Sequence, residues 1–236
     1  MNTLKQGVEM PTLCIGHRGA KGHYPENTLP SFAYAIELGC DWIELDVHLV
    51  EDELVVIHDS TVNRTTNGTG RVDAYSLADL RALDAGGGAQ VPTLTEVTNL
   101  LAGRCGLNVE LKCPGTANAV SRALHELIDA GWSSEQILVS SFDHQELAKT
   151  DATFRRGALF AKRMKDEWES AESLGAYSVN FSLKDVDQAL VDLAHARGYK
   201  IFVYTVNKPK DIQTILNLGV DGIFSDFPDR VLSLSI

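Results

Sequence analysis

The sequence predicts an α/β fold, a closed (β/α)8 or TIM barrel with a small hairpin and loop insertion after the second strand. Short β-rich runs alternate with amphipathic helical stretches, and eight such runs remain when the hairpin arm is left out. The 236 residues are 44% hydrophobic, which suffices for one substantial core. We therefore expect a single barrel domain over residues 1–236, with the insertion at about 50–90.

The predicted barrel strands are short runs rich in β-branched and aliphatic residues. They span 12–16, 42–50, 107–111, 137–141, 156–161, 177–181, 200–206 and 222–225. Another run, 54–58, follows the second strand after only Glu51, Asp52 and Glu53. A parallel crossover needs about a dozen residues, so this run must return as a hairpin arm.

Helices are predicted between the strands from their start and stop signals. Gly39 ends the first helix, Thr93 and Glu96 have capping-box spacing, and Pro209 and Gly219 bracket a later helix. The predicted helices span 28–38, 93–101, 118–130, 143–150, 165–174, 185–197, 209–218 and 228–232. The polar segment 60–88, with one helical piece at 77–83, interrupts this repeat and could roof a site. A Rossmann-type sheet is the alternative, but no G-x-G-x-x-G follows the first strand.

Charge and cysteine content restrict the partners and the compartment. The formal net charge of −11 opposes broad attraction to nucleic acid or anionic lipid, so we expect a small-molecule partner and no stable membrane association. The four cysteines are scattered without a C-x-x-C pair, which favours reduced thiols over a disulfide framework. Residues 1–10 are polar and no run is long enough to span a membrane. A cytoplasmic protein is expected, with its oligomeric state left open.

The second strand carries an unusual pattern of charge. Glu44, Asp46 and His48 share one face of the strand, while apolar residues occupy the other. A solvated edge strand is the ordinary explanation for such a pattern. Two carboxylates on one strand face are nevertheless costly to desolvate unless a cation lies between them, so the pattern indicates a metal site.

The barrel prediction brings further ionisable residues to the same place. Functional side chains of this fold gather at the carboxyl ends of the strands. Strand-end residues from three neighbouring strands and from the hairpin arm should therefore share one rim. The residues placed at this rim are His17, Arg18, Glu44, Asp46, His58, Glu110 and Lys112.

These segments, in this order, resemble the glycerophosphodiester phosphodiesterase family, in particular its compact cytosolic bacterial members. The similarity extends from Ile15 to Pro228 and therefore covers nearly the whole chain. The matching segments are His17-Arg18-Gly19, Pro25-Glu26-Asn27-Thr28, 43–47, His58-Asp59, 63–68, Pro92-Thr93-Leu94, Glu110-Leu111-Lys112 and 221–228. The resemblance implies a metal-dependent hydrolase that converts glycerophosphodiesters, such as glycerophosphocholine and glycerophosphoethanolamine, to sn-glycerol 3-phosphate and an alcohol.

The candidate residues suit that chemistry. Glu44, Asp46 and Glu110 offer hard oxygen ligands for one divalent cation, Mg²⁺ or Ca²⁺. His17 and His58 are the expected acid and base, because imidazole exchanges protons near neutral pH. Cationic side chains can bind phosphate oxygens, and two residues of the Pro-Glu-Asn-Thr segment could contact substrate. These substrate-binding candidates are Arg18, Lys112, Glu26 and Asn27, although Asn27 could equally hold His17 or cap a helix.

Several points stay open at this level. The sequence does not say which histidine is the acid, nor whether water or the glycerol 2-hydroxyl attacks. A lysophospholipase D-like or cyclising phospholipase and a catalytically silent binding barrel are the alternative functions; an amidohydrolase is disfavoured because the first strand lacks an H-x-H pair. The remaining candidates are secondary. His23 and His48 are expected to be peripheral, His125, His144 and His195 to lie on the surface, and Phe142, Phe181 and Tyr204 to pack on the glycerol backbone or in the core.

Overall fold

The computed structural model describes residues 12–235, which form a barrel of eight parallel strands with one extra antiparallel strand. The strands are β1 Leu13–His17, β2 Trp42–Val50, β3 Glu53–Val56, β4 Gly106–Leu111, β5 Ile137–Ser141, β6 Arg155–Phe160, β7 Ser178–Ser182, β8 Lys200–Tyr204 and β9 Gly222–Ser225. The polar stretch 1–10 lies outside the described residues.

The sheet is closed, because β1 pairs in parallel with both β9 and β2. Around the barrel the order is β1, β9, β8, β7, β6, β5, β4 and β2, and β3 pairs with the carboxyl-terminal part of β2. That pairing is antiparallel, with Val47 opposite Val56 and Val50 opposite Glu53. The predicted (β/α)8 barrel and its hairpin are therefore confirmed, and the open Rossmann-type alternative is wrong.

Helices cover the outside of the barrel. They are α1 Leu29–Leu38, α2 Leu77–Arg81, α3 Leu94–Leu101, α4 Ala117–Asp129, α5 His144–Leu147, α6 Glu167–Ser173, α7 Gln188–Ala196, α8 Pro209–Asn217 and α9 Pro228–Leu234. Thr93 and Glu96 form the predicted capping box at the start of α3. Several helices are shorter than predicted, most clearly α5, which is a single turn, and α7, which begins only after a 3₁₀ turn at Leu183–Asp185. None of the helices within residues 12–235 combines the length and the apolar character needed to cross a bilayer.

Strand alternation separates the two faces of the barrel. On β2, Ile43, Leu45 and Val47 point outward into the main core beneath the helices, and all three are completely buried. A second apolar cluster of Ile15, Leu138, Phe202 and Phe224 comes from four different strands. The inward face of β2 thus holds Glu44 and Asp46 towards the carboxyl end of the barrel.

The segment between β3 and α3 has a small core of its own. Its contributors come from the hairpin and from the insertion, and they are separate from the main core. The buried members are Val50, Val55, Ile57, Val62, Val72, Leu80, Ala85 and Val91. This packing holds the insertion beside the rim where β3 ends.

Candidate active site

Three carboxylates meet inside the carboxyl end of the barrel. Asp46 on β2 lies opposite Glu110 on β4, and Glu44 is one step further into the barrel. One oxygen from each of the three residues lies within 4.8 Å of the others. A Mg²⁺ or Ca²⁺ ion takes oxygen ligands at about 2.0–2.6 Å, so a single ion could contact all three.

The electrostatics of this cluster also fit a cation. Glu44 Oε1 and Asp46 Oδ1 are buried and have no hydrogen-bond partner among the described residues. Burial and then the charges of Asp46 and Glu110 raise the pKa of Glu44 well above its usual value. Burial and the charge of Asp46 likewise raise the pKa of Glu110 to about 7. Orphaned oxygens and mutual repulsion are both what a bound divalent cation would relieve.

Arg18 is held against the carboxylates by a sharp turn after β1. Its backbone N–H donates to Glu44 Oε2 at 2.9 Å, and its φ is 53°. Gly19 follows with φ +82°, where a Cβ would lie 2.7 Å from the carbonyl carbon of Ser31. A left-handed non-glycine residue costs about 1 kcal/mol or more, so the turn maintains Arg18 in a strained but fixed position.

The guanidinium of Arg18 bridges two acids and lines the cleft. Its Nη1 donates to Glu26 Oε1 at 2.7 Å, and its Nε lies 3.2 Å from Asp46 Oδ2. Lys112 lies on the other side of Asp46, with Nζ 3.6 Å from Asp46 Oδ1 and 2.6 Å from Glu110 Oε1. Burial alone would raise the pKa of Asp46, but these two cations keep it lowered.

His17, at the end of β1, is fixed by Asp226, which directly follows the neighbouring strand β9. Its Nδ1 lies 2.6 Å from Asp226 Oδ1. Asp226 Oδ2 accepts from Asn207 Nδ2 at 2.8 Å, and the Asp226 N–H donates to Asn207 Oδ1 at 2.9 Å. With Nδ1 engaged, the imidazole presents Nε2 as its free nitrogen.

His58, just beyond β3, is fixed in the same manner from the insertion side. Its Nδ1 lies 2.6 Å from Asp59 Oδ1, and both residues are partly exposed. Arg64 donates to this carboxylate through Nε at 2.7 Å and through Nη2 at 3.0 Å. His58 therefore also presents Nε2, and both histidines line one cleft.

The cleft has a volume of about 210 Å³ and combines the ionisable groups with an aromatic wall. Phe142 is 44% exposed, and its ring packs edge-on against that of Tyr204 at 5.8 Å. These two aromatic residues line the cleft, where packing on a glycerol backbone stays a prediction, whereas Phe181 is buried and stacks on Phe160. For Phe181 the core alternative is therefore the correct one.

The other predicted substrate-binding residues contact groups of the site. Glu26 holds Arg18, and Asn27 Nδ2 donates to Asp46 Oδ2 at 2.9 Å. Thr28, not Asn27, caps α1, and direct contact of Glu26 and Asn27 with substrate stays a prediction. The peripheral histidines have structural contacts: His23 with Asp229, His48 with the carbonyl of His58, His125 with Asp151 and His195 with Asp221. His144 differs from its prediction as a surface residue, because it is half-buried and its ring packs edge-on against that of Phe160 at 5.0 Å.

Sequence reasoning assigned no role to the residues that orient the histidines. Asp59 follows His58 directly, so proximity in the chain was an available signal for it. Asp226 is 209 residues from His17 along the chain, and closure of the barrel brings it and Asn207 to the site. Arg64 is only 5 residues from Asp59, but the fold of the insertion brings its guanidinium to that carboxylate.

Comparison with known proteins agrees with this geometry. A profile described as "Glycerophosphoryl diester phosphodiesterase family" matches residues 17–230. A glycerophosphodiester phosphodiesterase of Caldanaerobacter subterraneus subsp. tengcongensis is 36% identical, with 95% of this chain and 98% of that protein covered. One from Bacillus altitudinis is 37% identical, with 94% and 98% covered.

A solved structure shows the same barrel. A phosphodiesterase of Oleispira antarctica, in complex with the product sn-glycerol-3-phosphate, matches with a TM-score of 0.87 and 32% identity. The match covers 95% of this chain and 96% of that one. The family predicted from the sequence motifs is thus confirmed, and the chain belongs to the glycerophosphoryl diester phosphodiesterase family.

Proposed function

We propose that this enzyme hydrolyses glycerophosphodiesters to sn-glycerol 3-phosphate and an alcohol, using a divalent cation and the pair His17 and His58. The observation that carries the proposal is the convergence of two carboxylate-held imidazoles, a guanidinium and three clustered carboxylates on one cleft. Family membership and the product-bound structure of a relative support the same substrate class.

The cation would be held by Glu44, Asp46 and Glu110. Oxygen ligands without cysteine or several histidines suit a hard ion, so Mg²⁺ or Ca²⁺ is the proposed occupant. When bound, such an ion supplies positive charge to the non-bridging phosphate oxygens and stabilises the additional negative charge of the transition state. Arg18 lines the cleft and adds fixed positive charge, and Lys112 balances the charge of Asp46 and Glu110.

The proton transfers fall to the two histidines. Each is held by an aspartate at Nδ1, which leaves Nε2 to exchange protons with substrate. One imidazole removes the proton of the attacking oxygen, and the other protonates the leaving alkoxide. This division serves equally for attack by water and for attack by the glycerol 2-hydroxyl.

Product release from a panel of diesters tests the function: glycerol 3-phosphate is measured for the soluble diesters, and choline with the acylated glycerol phosphate is measured for lysophosphatidylcholine. The panel contains glycerophosphocholine, glycerophosphoethanolamine and lysophosphatidylcholine, each with chelator and with added Mg²⁺ or Ca²⁺. We expect turnover of the two water-soluble diesters, abolished by chelation and restored by metal. Glu44→Gln should raise the metal concentration required for half-maximal activity by about tenfold or more, because an anionic ligand is lost.

Two results would contradict the proposal. Full activity after exhaustive chelation would show that the reaction does not require a cation. Turnover of lysophosphatidylcholine without turnover of either soluble diester would favour the lysophospholipase D-like alternative. Glu135→Gln, at an exposed carboxylate outside the cleft, is the matched control and should leave the metal requirement unchanged.

A further inference from the structure

Arg64 belongs to the insertion and not to the barrel, yet it binds two carboxylates that hold residues of the cleft. Its Nε and Nη2 donate to the two oxygens of Asp59. On its other edge, Nη1 and Nη2 donate to the two oxygens of Glu26, both at 2.8 Å. The guanidinium is thus bound in fork geometry to two carboxylates at once, which restricts its orientation more than a single ion pair would.

Each of these carboxylates holds a residue of the proposed site. Asp59 Oδ1 lies 2.6 Å from His58 Nδ1, and Glu26 Oε1 accepts from Arg18 Nη1 at 2.7 Å. A continuous chain of contacts therefore runs from His58 through Asp59, Arg64 and Glu26 to Arg18.

Glu26 and Asp59, the two carboxylates that Arg64 binds, differ in their other contacts. Glu26 is only 8% exposed and also lies 3.4 Å from Lys21. Among the described residues, the side-chain contacts of the Asp59 carboxylate are to His58 and Arg64. The orientation of Asp59, and through it that of His58, therefore depends on Arg64.

We propose that Arg64 is a positioning residue for the hydrolysis, which fixes His58 through Asp59 and the phosphate-binding Arg18 through Glu26. This inference rests on the proposed function for its kinetic consequences. It assigns the insertion a direct part in the reaction: the segment supplies the guanidinium that couples proton transfer to phosphate binding. A displacement of about 1 Å in a reacting group can cost about a hundredfold in rate, so a loose Asp59 is enough to impair catalysis.

The insertion provides its own control. Arg71 also lies in this segment and makes a bidentate contact with Asp73, at 2.9 and 2.6 Å. That pair is exposed and has no contact with His58 or Arg18 among the described residues. Arg71→Gln thus removes the same charge and the same kind of ion pair, but it leaves the chain of contacts between His58 and Arg18 unchanged.

The kinetic test is a double-mutant cycle on glycerophosphocholine. Arg64→Gln should lower kcat by about tenfold to a hundredfold and raise KM, whereas Arg71→Gln should change each by less than about twofold. In an Asp59→Asn background, Arg64→Gln should change kcat by less than about threefold but still raise KM, because only the Glu26 branch remains. If the two losses in kcat multiply, or if Arg71→Gln has the same effect as Arg64→Gln, the proposal is wrong.

A second measurement does not require turnover. The imidazole of His58, assigned by comparison with His58→Gln, is titrated by NMR in each variant. Loss of the Arg64 charge leaves Asp59 free to stabilise the imidazolium, so Arg64→Gln should shift the His58 titration to higher pH. The other charges acting on His58, from Asp46, Lys112 and Arg18, are unchanged by the substitution.

The two measurements separate the two claims. A wild-type enzyme that cleaves no diester would refute the proposed function, while a His58 titration that is identical in Arg64→Gln and wild type would refute the role of Arg64. Thermal unfolding is followed for every variant. If Arg64→Gln does not fold, Arg64→Lys takes its place: it keeps the charge but not the fork, and should retain less than about a third of wild-type kcat. Full activity of a folded Arg64→Lys enzyme would also overturn the proposal.

Discussion

The two histidines of the cleft are held by the same contact but by different parts of the molecule. In each, Nδ1 lies 2.6 Å from an aspartate oxygen. The aspartate of His17 is anchored by Asn207 within the barrel, whereas that of His58 is anchored by Arg64 of the insertion. The His17 side chain is 15% exposed and that of His58 is 30% exposed.

One half of the proposed acid–base pair is therefore held by the barrel scaffold and the other half by an added segment. Burial lowers the pKa of both imidazoles, and each aspartate opposes that effect by stabilising the protonated ring. The same two effects therefore act on the pKa of both imidazoles, whereas the segments that hold their aspartates differ. Changes in the insertion should reach His58 and leave His17 in place.

The largest effect is expected from removing either ring. His17→Gln and His58→Gln should each lower kcat on glycerophosphocholine by about a hundredfold or more, because each removes a proton-transfer group. The double variant should be little slower than the worse single variant, since the groups act in one step. Steady-state kinetics check this, with His125→Gln, an exposed histidine outside the cleft, as the control. Near-normal kcat for either variant would make that histidine structural.

The next largest effect distinguishes Asp226 and Asp59, the two aspartates that hold the histidines. Asp226→Asn should lower kcat by about tenfold to a hundredfold, because its new amide would face the donating Nδ2 of Asn207 and lose the orientation that His17 requires. Asp59→Asn should cost less, since Asp59 is more exposed than Asp226 and can rearrange towards water. Kinetics of the two variants at several pH values measure the difference. A larger loss for Asp59→Asn would reverse the comparison.

The sequence predicted most of the barrel because the strand and helix signals are local. The capping box at Thr93, the glycine after α1 and the three-residue connection before β3 are each readable within a few residues. The same is true of Glu44 and Asp46, whose shared face follows from strand alternation.

The supports of the site were not predictable in this way. Asp226 is 209 residues from His17 along the chain, and Arg64 is 38 residues from Glu26. Both contacts depend on barrel closure and on the fold of the insertion, which no local pattern encodes. For Phe181 the sequence left two positions open, because a strand-end aromatic side chain can face the cleft or the core. In the fold it packs in the core, stacked on Phe160.

A smaller effect is expected on the stability of the fold in acid, through Glu26, the carboxylate that Arg64 of the insertion binds. Burial opposes ionisation of Glu26, but hydrogen bonds from Arg64 and the charge of Arg18 lower its pKa from 4.5 to about 2. A lowered pKa stabilises the fold above about pH 4.5, and this contribution, at most about 3 kcal/mol, disappears as the pH falls towards 2. Glu26→Gln should therefore reduce the free energy of unfolding at pH 7 more than at pH 3.

Urea unfolding at the two pH values measures this dependence. Glu135→Gln, at an 80% exposed residue, serves as the control and should lower the free energy by a similar small amount at both. An identical pH dependence for Glu26→Gln and wild type would show that Arg64 and Arg18 do not stabilise the ionised Glu26 carboxylate.

His17 and His58 are proposed to take opposite roles in proton transfer, and a change of leaving group distinguishes those roles. A nitrophenyl ester of glycerol phosphate has a leaving group that needs little protonation, so it bypasses the acid but not the base. The measurement is kcat/KM of His17→Gln and His58→Gln on this ester and on glycerophosphocholine, each relative to wild type. One variant, and only one, should recover by at least about tenfold on the activated ester. Equal recovery of both variants, or of neither, would contradict these roles.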